Sequence, residues 1–314
     1  MTKARQLDPS QLSSDPRENT VGLDNLTSRV TRLKQVKIDE SDLTYAERGK
    51  GEPIVFVHGA LGDYRTWSQQ LDLFSEQYHA VSYSRRYHRP NAPCDDPTDY
   101  TYRRHVDDLI ALIDALGIGP ANLIGHSYGG TIATMVAIER PELVGSLTLA
   151  EPTLFSILST PDDKVSLRFH RIALDVVQKL AENGEQRLAI REYVNIVLGR
   201  DGYDGLPLEE LLVIVQNAHT IGPMLRTLFE LSSFDPNRLQ NLQIPTLIIT
   251  GGLSPKVYRA VSRELHNSLP HSELLTLPRA SHGLHMENPQ GFGETVLGFL
   301  CQNKVPARVN KNDT

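Results

Sequence analysis

A serine stands in a glycine-bracketed turn at residues 125–129, which read G-H-S-Y-G. The residues before this turn, 121–125, are typical of a buried strand, and residues 129–140 have a helical pattern. A tight turn between a strand and a helix exposes a serine hydroxyl and brings the helix N-terminus close to it. The pattern predicts Ser127 as a nucleophile; the alternative is an ordinary glycine-rich turn with a passive serine.

A second small-residue loop, H-G-A-L-G over residues 58–62, follows another apolar run. Acyl transfer requires backbone N–H groups that face the oxyanion formed on the substrate. The residue after the nucleophile usually supplies one of them, and a loop of this kind supplies the other. We therefore expect the backbone amides of Ala60 and Tyr128 to form an oxyanion hole.

These two motifs resemble those of the α/β-hydrolase fold superfamily, and the resemblance extends over roughly residues 36–301. The order of the features is also similar: a His-Gly loop, a G-x-S-x-G elbow, a helical segment and a late histidine. Trp67 matches a position that the family often fills with Trp. The resemblance implies a mostly parallel, doubly wound sheet with an inserted helical lid.

The resemblance also implies a catalytic base shortly before the last helix. Residues 280–289 read A-S-H-G-L-H-M-E-N-P, similar to the family's G-H-x-x-x-x-E-x-P pattern with Ser281 in place of Gly. His282 aligns with the base, which would take the proton of Ser127 and return it to the leaving group. His285 is the second candidate, with a supporting or surface role as its alternative.

The acid of the triad is where this sequence departs from the family. Ser254 stands where an Asp is expected, and residues 250–263 contain no carboxylate. Glu151 follows the strand after the elbow and preserves the order serine, acid, histidine. We therefore expect a Ser127–His282–Glu151 triad. Alternatively, Glu151 caps the entrance to the helical segment or pairs with an arginine.

The candidate substrate contacts are polar residues near these motifs. Residues 84–91 read S-R-R-Y-H-R-P-N where the family often has an Asp-x-Arg-Gly-x-Gly-like turn. Its arginines either brace loops or meet an anionic group of the substrate. The residues that could contact substrate are His58, His126, Arg86 and His285.

The elements that must position these residues alternate between strands and helices. Most predicted strands are continuous apolar runs, which is typical of a parallel sheet covered on both faces. A hairpin over 36–48 is expected to add antiparallel strands, and the segment between the fourth and fifth buried strands has only helical patterns. The predicted buried strands are 53–58, 78–83, 121–125, 143–150, 245–250 and 273–277, and the predicted helices are 106–116, 129–140, 165–182, 185–198, 208–231, one after Pro255, and 290–301.

These patterns divide the chain into a core, a lid and two tails. The α/β-hydrolase core is expected over residues 35–151 and 244–303, with the helical lid over 152–243. A lid placed there would cover the carboxyl ends of the strands, where open α/β sheets bind ligands. Flexible tails are expected over 1–34 and 304–314 because these segments are polar and mixed.

The composition and the motifs that are absent exclude several classes of function. The 314 residues include 39% hydrophobic and 22% charged ones, and the formal net charge is −6, which argues against a nucleic-acid binder. No apolar run is long enough to span a bilayer and no secretory signal is visible, so we expect a cytoplasmic protein. No phosphate loop, dinucleotide fingerprint or metal-ligand spacing occurs, so we expect neither cofactor nor metal.

The sequence therefore favours a serine hydrolase acting on an ester, thioester or lactone of a small organic molecule. A nucleophilic Ser, rather than Asp, argues against an epoxide hydrolase or dehalogenase mechanism. The alternative is a non-hydrolytic use of the fold, as a ligand receptor or as a lyase in which Ser127 and His282 transfer protons. The oligomeric state is left open.

Overall fold

The computed structural model describes residues 32–199 and 201–304. The predicted tails therefore lie outside the described residues except for 32–34 and 304. Within the described part, eight strands form one sheet in the order β1-β2-β4-β3-β5-β6-β7-β8. The strands are β1 Lys34–Ile38, β2 Ser41–Arg48, β3 Pro53–Val57, β4 His79–Tyr83, β5 Ala121–His126, β6 Val144–Ala150, β7 Thr246–Gly251 and β8 Ser272–Leu277.

The sheet is mostly parallel, as the apolar runs predict. The strands β1 and β2 form an antiparallel hairpin, and β2 also pairs antiparallel with β4. All other neighbouring strands are parallel. Every residue of β5 and β7 is buried. Two apolar clusters enclose these strands: Leu123 belongs to one, together with Ile132, and Ile124 to the other, together with Trp67. Alternate residues of one strand thus pack against opposite layers, which confirms the doubly wound α/β class.

Helices cover both faces of the sheet and follow the predicted alternation. Short 3₁₀ helices occupy Tyr64–Trp67, Pro97–Asp99, Pro141–Leu143, Phe155–Ile157, Ala218–Thr220 and Glu230–Ser233. The α-helices are α1 Ser68–Phe74, α2 Tyr102–Leu116, α3 Tyr128–Glu139, α4 Pro161–Glu182, α5 Gln186–Leu198, α6 Leu208–Gln216, α7 Ile221–Thr227, α8 Asn237–Gln240, α9 Lys256–Ser268, α10 Leu284–Glu287 and α11 Pro289–Gln302.

A helical insertion separates β6 from β7. It contains α4 to α8 and, among its described residues (152–199 and 201–245), no strand. The prediction of one helix over 208–231 is wrong, because α6 ends at Gln216 and α7 starts only at Ile221. Pro223 explains the break: a proline lacks the N–H that a continuous helix would need, and it is tolerated in the first turn of α7.

The parallel strands bring several loops to one edge of the sheet. The carboxyl ends of β3, β5, β6 and β7 lie at this edge, since these strands are parallel neighbours in that order. His58, Ser127 and Glu151 directly follow three of them. Among the described residues, no helix is both long and apolar enough to cross a membrane.

Candidate active site

Ser127 occupies the sharp turn between β5 and α3. Its backbone has φ 52° and ψ −119°, a conformation that non-glycine residues rarely adopt. The chain can turn there only because glycines flank it. A Cβ on Gly125 would lie 2.7 Å from the Gly129 carbonyl oxygen, and one on Gly129 would lie 2.3 Å from the Val57 carbonyl oxygen. The glycine spacing of the motif therefore reflects close backbone approach, and the strained backbone is typical of a functional turn.

His282 lies between Ser127 and a carboxylate. Its Nε2 is 2.9 Å from Ser127 Oγ, and its Nδ1 is 2.8 Å from Glu151 Oε2. A carboxylate oxygen can only accept, so we assign the proton of the neutral imidazole to Nδ1. Nε2 is then an acceptor that faces the Ser127 hydroxyl. The imidazole is almost fully buried, which strengthens both hydrogen bonds relative to water.

Glu151 is fully buried at the end of β6, with a positive φ of 47°. Its Oε1 accepts hydrogen bonds from the Thr250 hydroxyl at 2.5 Å and from the Gly251 N–H at 2.8 Å. Its Oε2 accepts from His282. The carboxylate is therefore held by the end of β7 and by His282, and no arginine of the described residues pairs with it, which disfavours one of the two alternatives for Glu151.

Ser254, where the family's acid was expected, is also buried. Its hydroxyl has no hydrogen-bond partner among the described residues. Glu151, from the neighbouring strand, contacts Nδ1 of His282 instead.

The loop at residues 58–60 lies directly against Ser127. A Cβ on Gly59 would be 3.2 Å from the Ser127 Cβ and 2.7 Å from the His126 Nδ1. Tyr128 is the first residue of α3, so its N–H has no partner within the helix. The arrangement places the 58–60 loop and the first turn of α3 next to the serine, where donors to an oxyanion would have to lie.

His58 is buried and makes its hydrogen bonds within the protein. It is fully buried, its Nε2 accepts from the Arg85 N–H at 2.9 Å, and its Nδ1 lies 2.9 Å from the Gly59 carbonyl oxygen. Burial, and secondarily the charge of Arg85, holds the pKa of His58 well below its usual range. Both ring nitrogens of a neutral imidazole are therefore used within the protein, which favours a loop-holding role of His58 over the predicted substrate contact.

His126 and His285 pack behind His282 rather than around an open site. The His126 Nε2 is 2.8 Å from the backbone carbonyl oxygen of His282. The His285 ring lies 4.4 Å from both the His126 and the Trp67 rings, and neither of its nitrogens has a hydrogen-bond partner among the described residues. Burial lowers the pKa of His285 to about 3. These contacts favour packing roles over the predicted substrate contacts of both histidines, and His282, rather than His285, contacts Ser127.

The charge of Arg86 is balanced by the carboxylate of Asp108. Its Nε donates to Asp108 Oδ2 at 2.8 Å, its Nη2 donates to the other carboxylate oxygen, and its Nη1 donates to the Ser41 hydroxyl. Such a two-pronged pair, here buried, is typical of a structural arginine. These contacts favour the bracing role of Arg86 over the predicted substrate contact.

Tyr258 was not singled out by sequence, and Arg85 was considered only as one of the arginines of residues 84–91. The Tyr258 ring in α9 stacks on His282 at 3.8 Å between centroids and 21° between planes. Its hydroxyl lies 3.2 Å from Nε2 of His170 in α4. Arg85 lies beneath the loop at 58–60. No local motif marks Tyr258, and the 84–91 segment does not distinguish Arg85 from its neighbouring arginines, because these contacts depend on how distant elements pack.

The helical insertion contacts the residue that follows Ser127. Ser127 is 3% exposed, and the Tyr128 hydroxyl lies 2.9 Å from the Thr227 hydroxyl of α7. A cavity of about 250 Å³ opens beside the insertion, and its walls include Tyr100, His219 and Arg226. Ser127 is not among its lining residues, although the Tyr100 ring lies 6.2 Å from that of Tyr128.

Comparison with known proteins agrees with the observed fold. A family model described as alpha/beta hydrolase fold matches residues 52–289. An (E)-2-((N-methylformamido)methylene)succinate hydrolase of Acinetobacter baylyi is 23% identical over 258 residues, covering 82% of this chain and 93% of that protein. An sn-1-specific diacylglycerol lipase of Mus musculus is 25% identical over 256 residues, covering 79% and 80%.

Among solved structures, an enol-lactonase from Burkholderia xenovorans LB400 has a TM-score of 0.71 and 19% identity, covering 85% of this chain and 100% of that one. Its likeness concerns the fold. The two sequence relatives are hydrolytic enzymes by name and, with the family match, indicate a hydrolase. The family model covers well over half of the chain, which therefore belongs to the α/β hydrolase fold family.

Proposed function

We propose that the protein is a serine hydrolase that cleaves an ester, thioester or lactone of a small organic molecule through an acyl-enzyme. The observation that carries the proposal is the continuous contact from the Ser127 hydroxyl through His282 to the buried Glu151 carboxylate. A base within hydrogen-bond reach of the nucleophile, itself oriented by a third group, is the arrangement that activates serine.

The reaction starts when Ser127 Oγ attacks the carbonyl carbon and its proton moves to His282 Nε2. The carbonyl oxygen becomes an oxyanion, which the backbone N–H groups of Ala60 and Tyr128 stabilise. The intermediate collapses, and the proton on Nε2 passes to the departing alcohol, thiol or enol oxygen. Water then attacks the acyl-enzyme with His282 again as the base, releasing the acid and restoring Ser127.

We further propose that the helical insertion over residues 152–243 acts as a lid. Burial of Ser127 and the Tyr128–Thr227 contact support a closed state in which water is excluded. Substrate entry then requires the insertion to move, and the apolar faces of its helices would select the acyl or leaving group. In this respect the lid, rather than the core, sets specificity.

The first test is labelling by a fluorophosphonate probe. We expect wild type to be labelled, and Ser127→Ala, with an unchanged thermal midpoint, to be unlabelled and inactive on esters and lactones. Folded wild type that resists both a large and a small fluorophosphonate would contradict an activated serine. That result would favour the alternative, a receptor or a lyase that transfers protons without an acyl-enzyme.

A further inference from the structure

Arg85 is a fully buried cation whose partners are all uncharged. Its side chain is 1% exposed, yet no carboxylate of the described residues lies within 4.0 Å of it. Nε donates to the His58 carbonyl oxygen at 3.2 Å and Nη2 to the Gly59 carbonyl oxygen at 3.0 Å. Nη1 donates to the Tyr100 hydroxyl at 3.2 Å, and the guanidinium carbon lies 4.8 Å from the Tyr128 ring centre.

The adjacent Arg86, in contrast to Arg85, is paired with a carboxylate. Arg86 is buried against the Asp108 carboxylate, whereas Arg85 has only carbonyl, phenol and ring partners. A buried charge without a counter-ion is expensive, so such an arrangement is generally functional or over-determined by its surroundings. The positive field of Arg85 also contributes, after burial, to the lowered pKa of His58 and His105.

The partners of Arg85 belong to the oxyanion loop. The Gly59 carbonyl that accepts from Nη2 is part of the same planar peptide group as the Ala60 N–H. Because the electrons of a peptide are delocalised, a donor at the oxygen makes the N–H at the other end a stronger donor. The His58 Nδ1–H faces the same oxygen. The ring under the guanidinium belongs to Tyr128, whose N–H is the second proposed donor.

We propose that Arg85 is a positioning residue of the oxyanion hole, fixing the 58–60 loop and supplying uncompensated positive charge behind the Ala60 N–H. This inference rests on the proposed serine-hydrolase function and deepens it. The charge is permanent, since a guanidinium does not lose its proton in a protein. Stabilisation of the oxyanion is therefore built into the fold before substrate arrives, and it acts most strongly when negative charge develops.

A direct contact between Arg85 and an anionic substrate is the competing interpretation. The geometry disfavours it, because the side chain is almost inaccessible and all three guanidinium nitrogens already donate to protein atoms. A substrate carboxylate would have to displace the loop that it needs for catalysis.

The test compares two uncharged ligands that differ in oxyanion formation. 1,1,1-Trifluorooctan-2-one can accept Ser127 Oγ, forming a C–O bond while its carbonyl oxygen becomes an oxyanion and the proton moves to His282. Octan-2-one binds without forming a stable adduct. Inhibition constants for both are measured by protection from fluorophosphonate labelling, in wild type, Arg85→Gln and the matched control Arg86→Gln.

We expect Arg85→Gln to lower the preference for the trifluoromethyl ketone by about 10- to 100-fold, less than removal of a direct donor would. Arg86→Gln should change thermal stability but leave the preference within roughly threefold of wild type. An unchanged preference in Arg85→Gln, or an equal loss of affinity for both ketones, would overturn the proposal.

If Arg85→Gln does not fold, Arg85→Lys replaces it. One ammonium cannot reproduce the planar fork that reaches both carbonyls, so the preference should fall at least about threefold; no change would refute the role. A wild type that does not prefer the trifluoromethyl ketone would instead contradict the activated serine, so failure of the underlying function is distinguished from failure of this inference.

Discussion

Replacing Glu151 by Gln should give His282 the wrong tautomer without altering the shape of the site. The Oε1 end of the side chain accepts from the Thr250 hydroxyl and the Gly251 N–H. The Gly251 N–H, 2.8 Å away, can only donate, so an amide nitrogen there would produce a donor–donor clash. The Gln oxygen must therefore occupy the Oε1 position, and its NH₂ group must face His282.

The consequence follows from the contacts of the imidazole. With an NH₂ donor 2.8 Å from Nδ1, the ring accepts there and carries its proton on Nε2. That proton points at Ser127 Oγ, so the imidazole cannot remove the serine proton. An amide replacement of this kind in a Ser-His-Asp triad lowers kcat about 10⁴-fold, equivalent to about 5 kcal/mol of transition-state stabilisation. We expect a loss of that order in Glu151→Gln.

The assay is the pseudo-first-order rate of fluorophosphonate labelling, followed by kcat on any ester or lactone that wild type turns over. Glu287→Gln is the matched control, since Glu287 is the other carboxylate that contacts the His282 loop. Its Oε2 accepts from the Ser281 N–H at 2.7 Å, and the side chain is exposed. Its rates should stay within about tenfold of wild type.

A Glu151→Gln variant that retains labelling within tenfold of wild type, with an unchanged thermal midpoint, would refute the tautomer argument. If Glu287→Gln were then inactive, the orienting acid would be assigned to Glu287 instead.

Two further predictions concern the residues around His282. Tyr258→Leu should lower kcat by about 2- to 30-fold, because the stacked ring face stabilises the imidazolium formed in the transition state. Tyr258→Phe should keep that effect and lose only the hydroxyl contact with His170. Equal losses of kcat in the two variants would contradict a role of the ring face. His285→Phe should flatten the pH dependence of stability. His285 has a folded pKa of about 3, against an ordinary value of 6.5. As the pH is lowered from about 6.5 to about 3, unfolding takes up a proton, so the free energy of unfolding decreases by about 1.4 kcal/mol per pH unit. Urea unfolding at several pH values measures both slopes, and equal slopes in the two proteins would show that His285 does not remain neutral.

The sequence was most informative where the local backbone conformation or burial on both faces permits only a few residue types. The G-H-S-Y-G turn predicted a strand, a sharp turn and a helix, and the structure has β5, Ser127 and α3 in these positions. The continuous apolar runs likewise predicted a parallel sheet, because a strand covered on both faces has no polar side. Both signals are local, and tertiary packing reinforces them.

The sequence was least informative about polar residues, whose roles depend on distant partners. His58, His126 and His285 have the same side chain as His282, but burial and neighbouring groups make them packing or loop-holding residues. Arg85 and Arg86 are adjacent in sequence, yet only Arg86 meets a carboxylate. No composition or spacing rule separates these cases, because most of the deciding contacts come from residues distant in sequence.

The position of Glu151 follows from the geometry of neighbouring parallel strands. Adjacent strands lie about 4.8 Å apart, so the end of β6 is within one side-chain length of the end of β7. The Glu151 N–H donates to the Ile249 carbonyl oxygen at 3.2 Å, and the positive φ of Glu151 turns its chain at that point. Its carboxylate then reaches the Thr250 hydroxyl and the Gly251 N–H at the top of β7.

An acid that follows β6 can thus occupy the space above β7 that a shorter Asp at 254 would be expected to fill, and the extra methylene of Glu supplies the additional reach. His282 need not move for this exchange, because it contacts the carboxylate and not the strand from which the carboxylate comes. The absence of an acid at Ser254 is therefore consistent with the proposed triad, and the hydrogen bonds that hold Glu151 explain why Glu is the side chain that fits there.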